Sequence, residues 1–199
     1  MIRIGLTGSI GMGKSTTAAM FVEQGIAVHD SDRVVHELYQ NEAVEPIARD
    51  FPEVVIGGVV DRGALSRNLA KNPANFQRLE AIVHPLVRER QRRFVEEQER
   101  LGADIVVLDI PLLFETGAQD RVDSIVVVTC DPDIQRARVL QRPGMTEEKF
   151  EMILARQVAD LDKRRMADFI IDTGQGMEAA RRQVADIIAT LRSRKEGKD

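Results

Sequence analysis

The sequence predicts an α/β fold built on a doubly wound parallel sheet of five strands, and three observations predict it. First, five short apolar runs, Ile2–Leu6, Ile26–His29, Ile105–Leu108, Ser124–Thr129 and Phe169–Ile171, are mostly continuous and β-branched. Continuous runs suit strands buried on both faces, because a strand with one wet face alternates polar and apolar residues. Second, helix-period segments separate these runs, as the crossovers of a parallel sheet require. Third, the glycine-bearing segment Gly8–Thr16 follows the first strand directly and opens the first helix. In such a sheet, ligands lie at the carboxyl ends of the strands.

The elements follow in order. The first strand feeds the glycine-rich turn, and helix Lys14–Gln24 is closed by Gly25. After the second strand the alternation stops. Between Arg33 and Gly102 the pattern is mostly helical, with candidates at Ala43–Arg49, Ala64–Ala70, Asn75–Ile82 and Leu86–Arg100. Pro85 is expected to end one of these helices and start the next. A structureless loop of that length is implausible, so 33–101 is predicted as an inserted helical subdomain. The third and fourth strands, helix Pro132–Gln141, the fifth strand and helix Met177–Arg192 complete the core, which spans 1–32, 102–141 and 166–199. The charged segment 142–165 has Pro143-Gly144 as punctuation and a helix start at Thr146, and it is predicted to form a lid. The polar tail Arg192–Asp199 is expected to fray.

A chain of 199 residues accommodates one such core and its insertion. The net charge of −4 argues against general nucleic-acid binding. No apolar run approaches the ~20 residues of a membrane span. The single cysteine, Cys130, allows no internal disulfide and reads as a buried thiol. With no signal peptide expected, these features suit the cytoplasm. The 22 arginines against 6 lysines fit a phosphate-rich ligand, since guanidinium groups grip phosphate bidentately.

Residues Gly8 to Thr16 match G-x-x-x-x-G-K-[ST] at every constrained position. Gly8, Gly11 and Gly13 let backbone N–H groups, including that of Met12, converge on a polyphosphate. The helix that starts beside them aims its positive end at the same anion. Lys14 can reach the β- and γ-phosphates, and the Ser15 hydroxyl can ligate Mg²⁺, with Thr16 next in the turn. The segment therefore binds a nucleoside triphosphate.

Phosphoryl transfer also needs an oriented nucleophile and positive charge on the transferring group. Asp30-Ser31-Asp32 follows the second strand. A carboxylate there can take a proton from an acceptor hydroxyl, or Asp32 or Ser31 can cap the helix that starts near Arg33. Asp30 could support Mg²⁺ through water. Asp109 ends the apolar run Ile105–Leu108, as the metal-side acid of a phosphate-loop protein does. Arg138 and Arg142 are four apart and share a helix face, and with Arg136 and Arg156 they are candidates for compensating charge. No Asn-Lys-x-Asp guanine-reading motif occurs, which disfavours a GTPase.

Taken together, these segments resemble the dephospho-coenzyme A kinase family. The resemblance runs through the phosphate loop, Asp30-Ser31-Asp32, Asp61-Arg62-Gly63-Ala64-Leu65 and Leu79-Glu80-Ala81-Ile82-Val83-His84-Pro85. It continues through Asp109-Ile110-Pro111-Leu112-Leu113-Phe114-Glu115, Arg156-Gln157 and Ala167-Asp168, and covers Ile2 to about Leu191. It implies a fold of P-loop kinase type and transfer of phosphate from ATP to the ribose 3′-hydroxyl of dephospho-coenzyme A. It implies Asp32 as the base, Lys14, Arg138 and Arg142 on the phosphoryl group, and Ser15 with Asp109 or Asp30 at Mg²⁺. Asp172-Thr173-Gly174 corresponds to the loop beside the adenine. Leu79, His84, Pro85, Leu112 and Glu115 correspond to stretches near the acceptor. The partners implied are ATP and dephospho-coenzyme A, with no nucleic acid or membrane, in a monomer or small homo-oligomer. Ser9, Met12 and Ser31 depart from the usual family residues, and no Asn precedes Gly174. Ser9 and Met12 are tolerable if the loop keeps both at negative φ.

Overall fold

The computed structural model describes residues 1–72 and 74–196. In chain order the elements are β1 (Ile2–Thr7), α1 (Lys14–Glu23), β2 (Ala27–Asp30), α2 (Ser31–Leu38), α3 (Val44–Asp50), β3 (Val55–Ile56), β4 (Val59–Val60), α4 (Arg62–Lys71) and α5 (Ala74–Arg100). They continue with β5 (Ile105–Asp109), β6 (Ser124–Thr129), α6 (Pro132–Leu140), α7 (Glu147–Leu154), α8 (Asp160–Arg165), β7 (Phe169–Asp172) and α9 (Met177–Glu196). The C-terminal segment expected to fray is helical as far as Glu196, and its last three residues lie outside the described ones.

The main sheet has five strands in the order β2-β5-β1-β6-β7. β1 pairs in parallel with β5 and β6, and β6 with β7. Leu6 stands opposite Asp109, Thr7 opposite Val127 and Thr129 opposite Asp172, so these strands end along one edge. Both faces are covered, as the continuous apolar runs require. On one face Ile4, Leu6, Val107, Val126 and Val128 pack with Phe21 of α1 and with Val184, Ile187 and Leu191 of α9. On the other, Val127 packs with Leu113 and Phe114.

The chain forms two compact units, Met1–His29 with Gln98–Asp199, and Asp30–Glu97. The second has its own apolar core of Leu38, Ile47, Phe51, Val54, Leu79 and Val83. It also holds a hairpin unannounced by the sequence pattern, because β3 and β4 are two residues each. Gly57 and Gly58 turn it with φ values of 62° and 81°, the positive pair that a tight hairpin turn demands. Pro85 does not divide the helix as the sequence reading expected; α5 continues through it. Proline removes one hydrogen bond and crowds the preceding turn, at roughly 3 kcal/mol. Against that, Leu79, Ile82, Val83, Leu86 and Val87 form one apolar stripe running past Pro85 onto the same core. Breaking the helix would forfeit that stripe. Segment 142–165 lies in the first unit, where it carries α7 and α8.

Candidate active site

The phosphate loop is shaped by its glycines. Gly11 and Gly13 adopt φ values of 81° and 94°, the left-handed region that side chains resist. A Cβ on Gly8 would lie 2.6 Å from the carbonyl oxygen of Val128, closer than any real contact. Ser9 and Met12 keep negative φ, so the two departures from the family's usual loop cost the backbone nothing. Gly13 caps α1 without a side chain. The first N–H groups of that helix therefore receive no capping side-chain oxygen, an arrangement suited to an anion. Ser15 and Thr16 are exposed in this first turn.

Ile10, near the top of the loop, is gripped through both of its backbone polar groups. Its N–H donates to Oε1 of Gln157 at 3.1 Å, and its carbonyl accepts from Nε2 of Gln135 at 2.6 Å. Lys14 pairs with Asp109 through Oδ1. Asp109 is almost fully buried at the end of β5, and Lys14 is partly exposed.

A cavity of about 330 Å³ opens behind the loop. Gly11, Gly13, Thr16, Thr17 and Met20 form one wall, and Thr173, Gly176, Met177 and Ala180 another. Arg138 and Arg142 line it between them. Thr173 joins these walls. Its Oγ1 donates to the Met12 carbonyl at 2.7 Å and accepts from Arg138 Nη1 at 2.8 Å, while Arg138 Nη2 donates to the Thr173 carbonyl at 3.0 Å. The Arg138 guanidinium, expected at the transferring phosphoryl, is thus engaged on Thr173. Asp172 accepts the Gly174 N–H at 2.8 Å through Oδ1, which closes the turn after β7. Arg136 turns to Glu147 of α7 at 2.8 Å.

In the second unit, Asp30 caps α2. Its Oδ1 accepts the Arg33 N–H at 2.9 Å. Of the residues proposed for that duty, neither Ser31 nor Asp32 carries it. Asp32 is exposed in the first helical turn. His84 and Pro85 are exposed on α5, whereas Leu79 is buried in the apolar core. In the first unit, Leu112 is exposed and Glu115 turns inward. Cys130 is buried, its N–H donates to the Met12 sulfur at 3.2 Å, and burial pushes its thiol pKa up. Among the described residues, no three His, Cys, Asp or Glu side chains gather as a metal cage.

Gln135 is not among the site residues expected from the sequence, and Thr173 is expected there only as part of the segment Asp172-Thr173-Gly174. Gln135 had one readable sign, since it is four residues from buried Val139 and so occupies an apolar helix position. The bonds of Thr173 to Met12 and Arg138 had no such sign, because they join residues distant in sequence.

A parallel sheet ending in a glycine-rich loop, with lysine on a strand-end aspartate and a cavity behind, defines a P-loop phosphotransferase. The family described as dephospho-CoA kinase matches residues 2–179. The chain is 62% identical over 191 residues to the dephospho-CoA kinase of Agrobacterium fabrum, covering 96% of this chain and 98% of that one. A solved structure described as TT1252 from Thermus thermophilus matches with a TM-score of 0.83 and 35% identity, covering 95% and 96% of the two chains. The dephospho-CoA kinase of Campylobacter jejuni shares the fold with a TM-score of 0.73 at 23% identity, over 95% and 96% of the two chains. The chain belongs to the dephospho-CoA kinase family.

Proposed function

We infer that this protein phosphorylates the ribose 3′-hydroxyl of dephospho-coenzyme A with ATP, giving coenzyme A and ADP, the last step of coenzyme A biosynthesis. The observation that carries this reading is the near-full-length likeness to a dephospho-CoA kinase at 62% identity. The phosphate loop and the cavity behind it supply the chemistry. The triphosphate lies over the open N-terminus of α1, with the adenosine in the cavity lined by Thr173, Gly176 and Met177. Lys14 leaves Asp109 for the β- and γ-phosphates. Arg142 and Arg138 add positive charge beside them. Asp32, free of capping duty, orients the 3′-hydroxyl and accepts its proton as the oxygen attacks the γ-phosphorus. ADP departs on the opposite side.

The donor set at the loop is a hydroxyl, Ser15, and a carboxylate, Asp109, with Asp30 a further acid. Such hard oxygens fit Mg²⁺, which keeps several waters and needs only one or two protein ligands. When bound, Mg²⁺ neutralises charge on the β- and γ-phosphates. Segment 142–165 acts as a lid that excludes water, and 33–101 holds the acceptor, with His84 and Pro85 offering exposed surface to it; Leu112, in the first unit, is exposed as well. Leu79 supports α5 from within the core. Among the described residues, no helix is long and apolar enough to cross a membrane. We place the enzyme in the cytoplasm, as a monomer or small homo-oligomer.

The test is ADP release with Mg-ATP and, in parallel, dephospho-coenzyme A, AMP, a sugar acid or no acceptor. Turnover is expected only with dephospho-coenzyme A, and the product should carry a new 3′-phosphate. ATP binding without acceptor-dependent turnover would instead mark a nucleotide-responsive adaptor.

A further inference from the structure

Beneath the phosphate loop lies a charged cluster that the transfer reaction does not use. Lys163 of α8 is completely buried, and its Nζ lies 2.9 Å from Oε1 of Glu115, itself only 12% exposed. The same Oε1 accepts the Val158 N–H at 2.8 Å. Asp160, at the start of α8, accepts from the Thr129 hydroxyl at 2.8 Å. Burying an ammonium and a carboxylate together is costly, and apolar residues of similar volume often serve stability as well or better. Stability alone therefore gives weak reason to keep a charged pair here.

The position of the pair supplies a stronger reason. Glu115 holds Val158, and the adjacent residue, Gln157, holds the Ile10 N–H of the phosphate loop. Asp160 fastens the same stretch to the end of β6 from its other side. Residues 157–160, where segment 142–165 returns to the core, are thus fixed to the turn after β5 and to the end of β6, and in turn fix the loop.

We propose that Glu115, paired with Lys163, is a positioning residue for nucleotide binding, acting through Val158 and Gln157 on the Ile10 peptide. The pair sets the backbone from which Gln157 reaches the loop. Gln157 then holds the Ile10 N–H and keeps the loop's other amides aimed at the phosphates. Gln135 secures the next peptide through the Ile10 carbonyl, so Ile10 is where α6 and the returning segment both meet the loop.

The experiment is a double-mutant cycle read as the Kd for Mg-ATP without acceptor, alongside KM for both substrates and the melting temperature. Gln157→Met removes the acceptor and keeps the length of the side chain. It is expected to weaken ATP about tenfold, the usual scale for a half-buried N–H left unmatched, with the melting temperature nearly unchanged. Glu115→Ala should weaken ATP similarly, and the two together should do little more than either alone, because both act along one path. Glu115→Ala leaves a buried ammonium unmatched and risks unfolding the chain. The cycle is therefore repeated with Glu115→Ala/Lys163→Met, which leaves neither charge of the pair buried. KM for dephospho-coenzyme A should change little with Gln157→Met. Folded Glu115 variants that bind ATP as tightly as wild type would overturn the proposal, as would multiplicative losses in the cycle. A wild-type chain that bound no ATP would overturn the nucleotide reading on which it rests.

Discussion

The two compact units solve the problem of burying their chains in opposite ways. Among the described residues, the buried polar set of the first unit includes Thr7, Ser9, Thr17, Asp109, Thr129, Gln135 and Lys163, whereas only Gln91 is buried in the second. The second unit is an apolar core dressed with surface ion pairs, such as Arg90–Glu42 at 2.5 Å and Arg92–Glu89 at 2.7 Å. Apolar packing tolerates exchange of one hydrophobic residue for another of similar volume. A buried polar network does not, since each deletion strands a partner. The unit that carries the glycine-rich loop has the more exacting interior, and the inserted unit has freedom to reshape its surface.

The comparison can be broken most decisively at Lys14. Lys14→Met should lower kcat/KM by about 10³-fold in the ADP-release assay, the scale of removing a charge-stabilising donor. Near-normal turnover would contradict the site. Asp32→Asn should reduce kcat by roughly 10²–10³-fold while ATP affinity measured by titration stays close to wild type. Collapse of ATP affinity with turnover preserved would remove Asp32 as the base. A third pair sharpens the contrast between the interiors. Phe51→Ala should destabilise the second unit by about 3 kcal/mol, visible in thermal melts, and leave ATP affinity intact below the transition. Thr173→Val should do the reverse, with a small change in melting and several-fold weaker ATP binding.

The smallest effect concerns the far end of the sheet. Arg3 holds Asp123 in a two-pronged pair at 2.7 and 2.9 Å, and that hydrogen bonding lowers the Asp123 pKa from its ordinary value of 3.8. The stabilisation is present above the unfolded-state value and is lost as pH falls through the lower folded-state value. Both side chains are about 40% exposed, so Asp123→Asn should cost no more than about 1 kcal/mol at pH 7. That difference from wild type should shrink below pH 3.8.

The fold was legible wherever the chain repeats a simple period. Ser124–Thr129 is a strand with the limits its apolar run predicts, and the phosphate loop announces both its neighbours. The hairpin at Gly57-Gly58 was hidden because two-residue strands have no period to read. The α5 helix was misdivided because a local rule about proline met a tertiary stripe that outweighs it. At the site, the loop residues and Asp109 could be named from spacing. The grip of Gln135 and Gln157 on Ile10, and of Arg138 on Thr173, could not, since these bonds join residues 35 to 147 positions apart.

Asp30 is both the last residue of β2 and the cap of α2, so strand and helix meet with no connector between them. This joint leaves no slack for changes in chain length. One residue inserted after Asp30 would turn Asp32 by about 100° around the helix axis, because an α-helix has 3.6 residues per turn. The carboxylate would then point elsewhere though every residue type was retained. The open turn at Gly57-Gly58 has no neighbouring atoms within 4 Å of either Cβ position and can lengthen freely. Over evolutionary time, insertions and deletions should gather at that turn and be purged at the joint after β2.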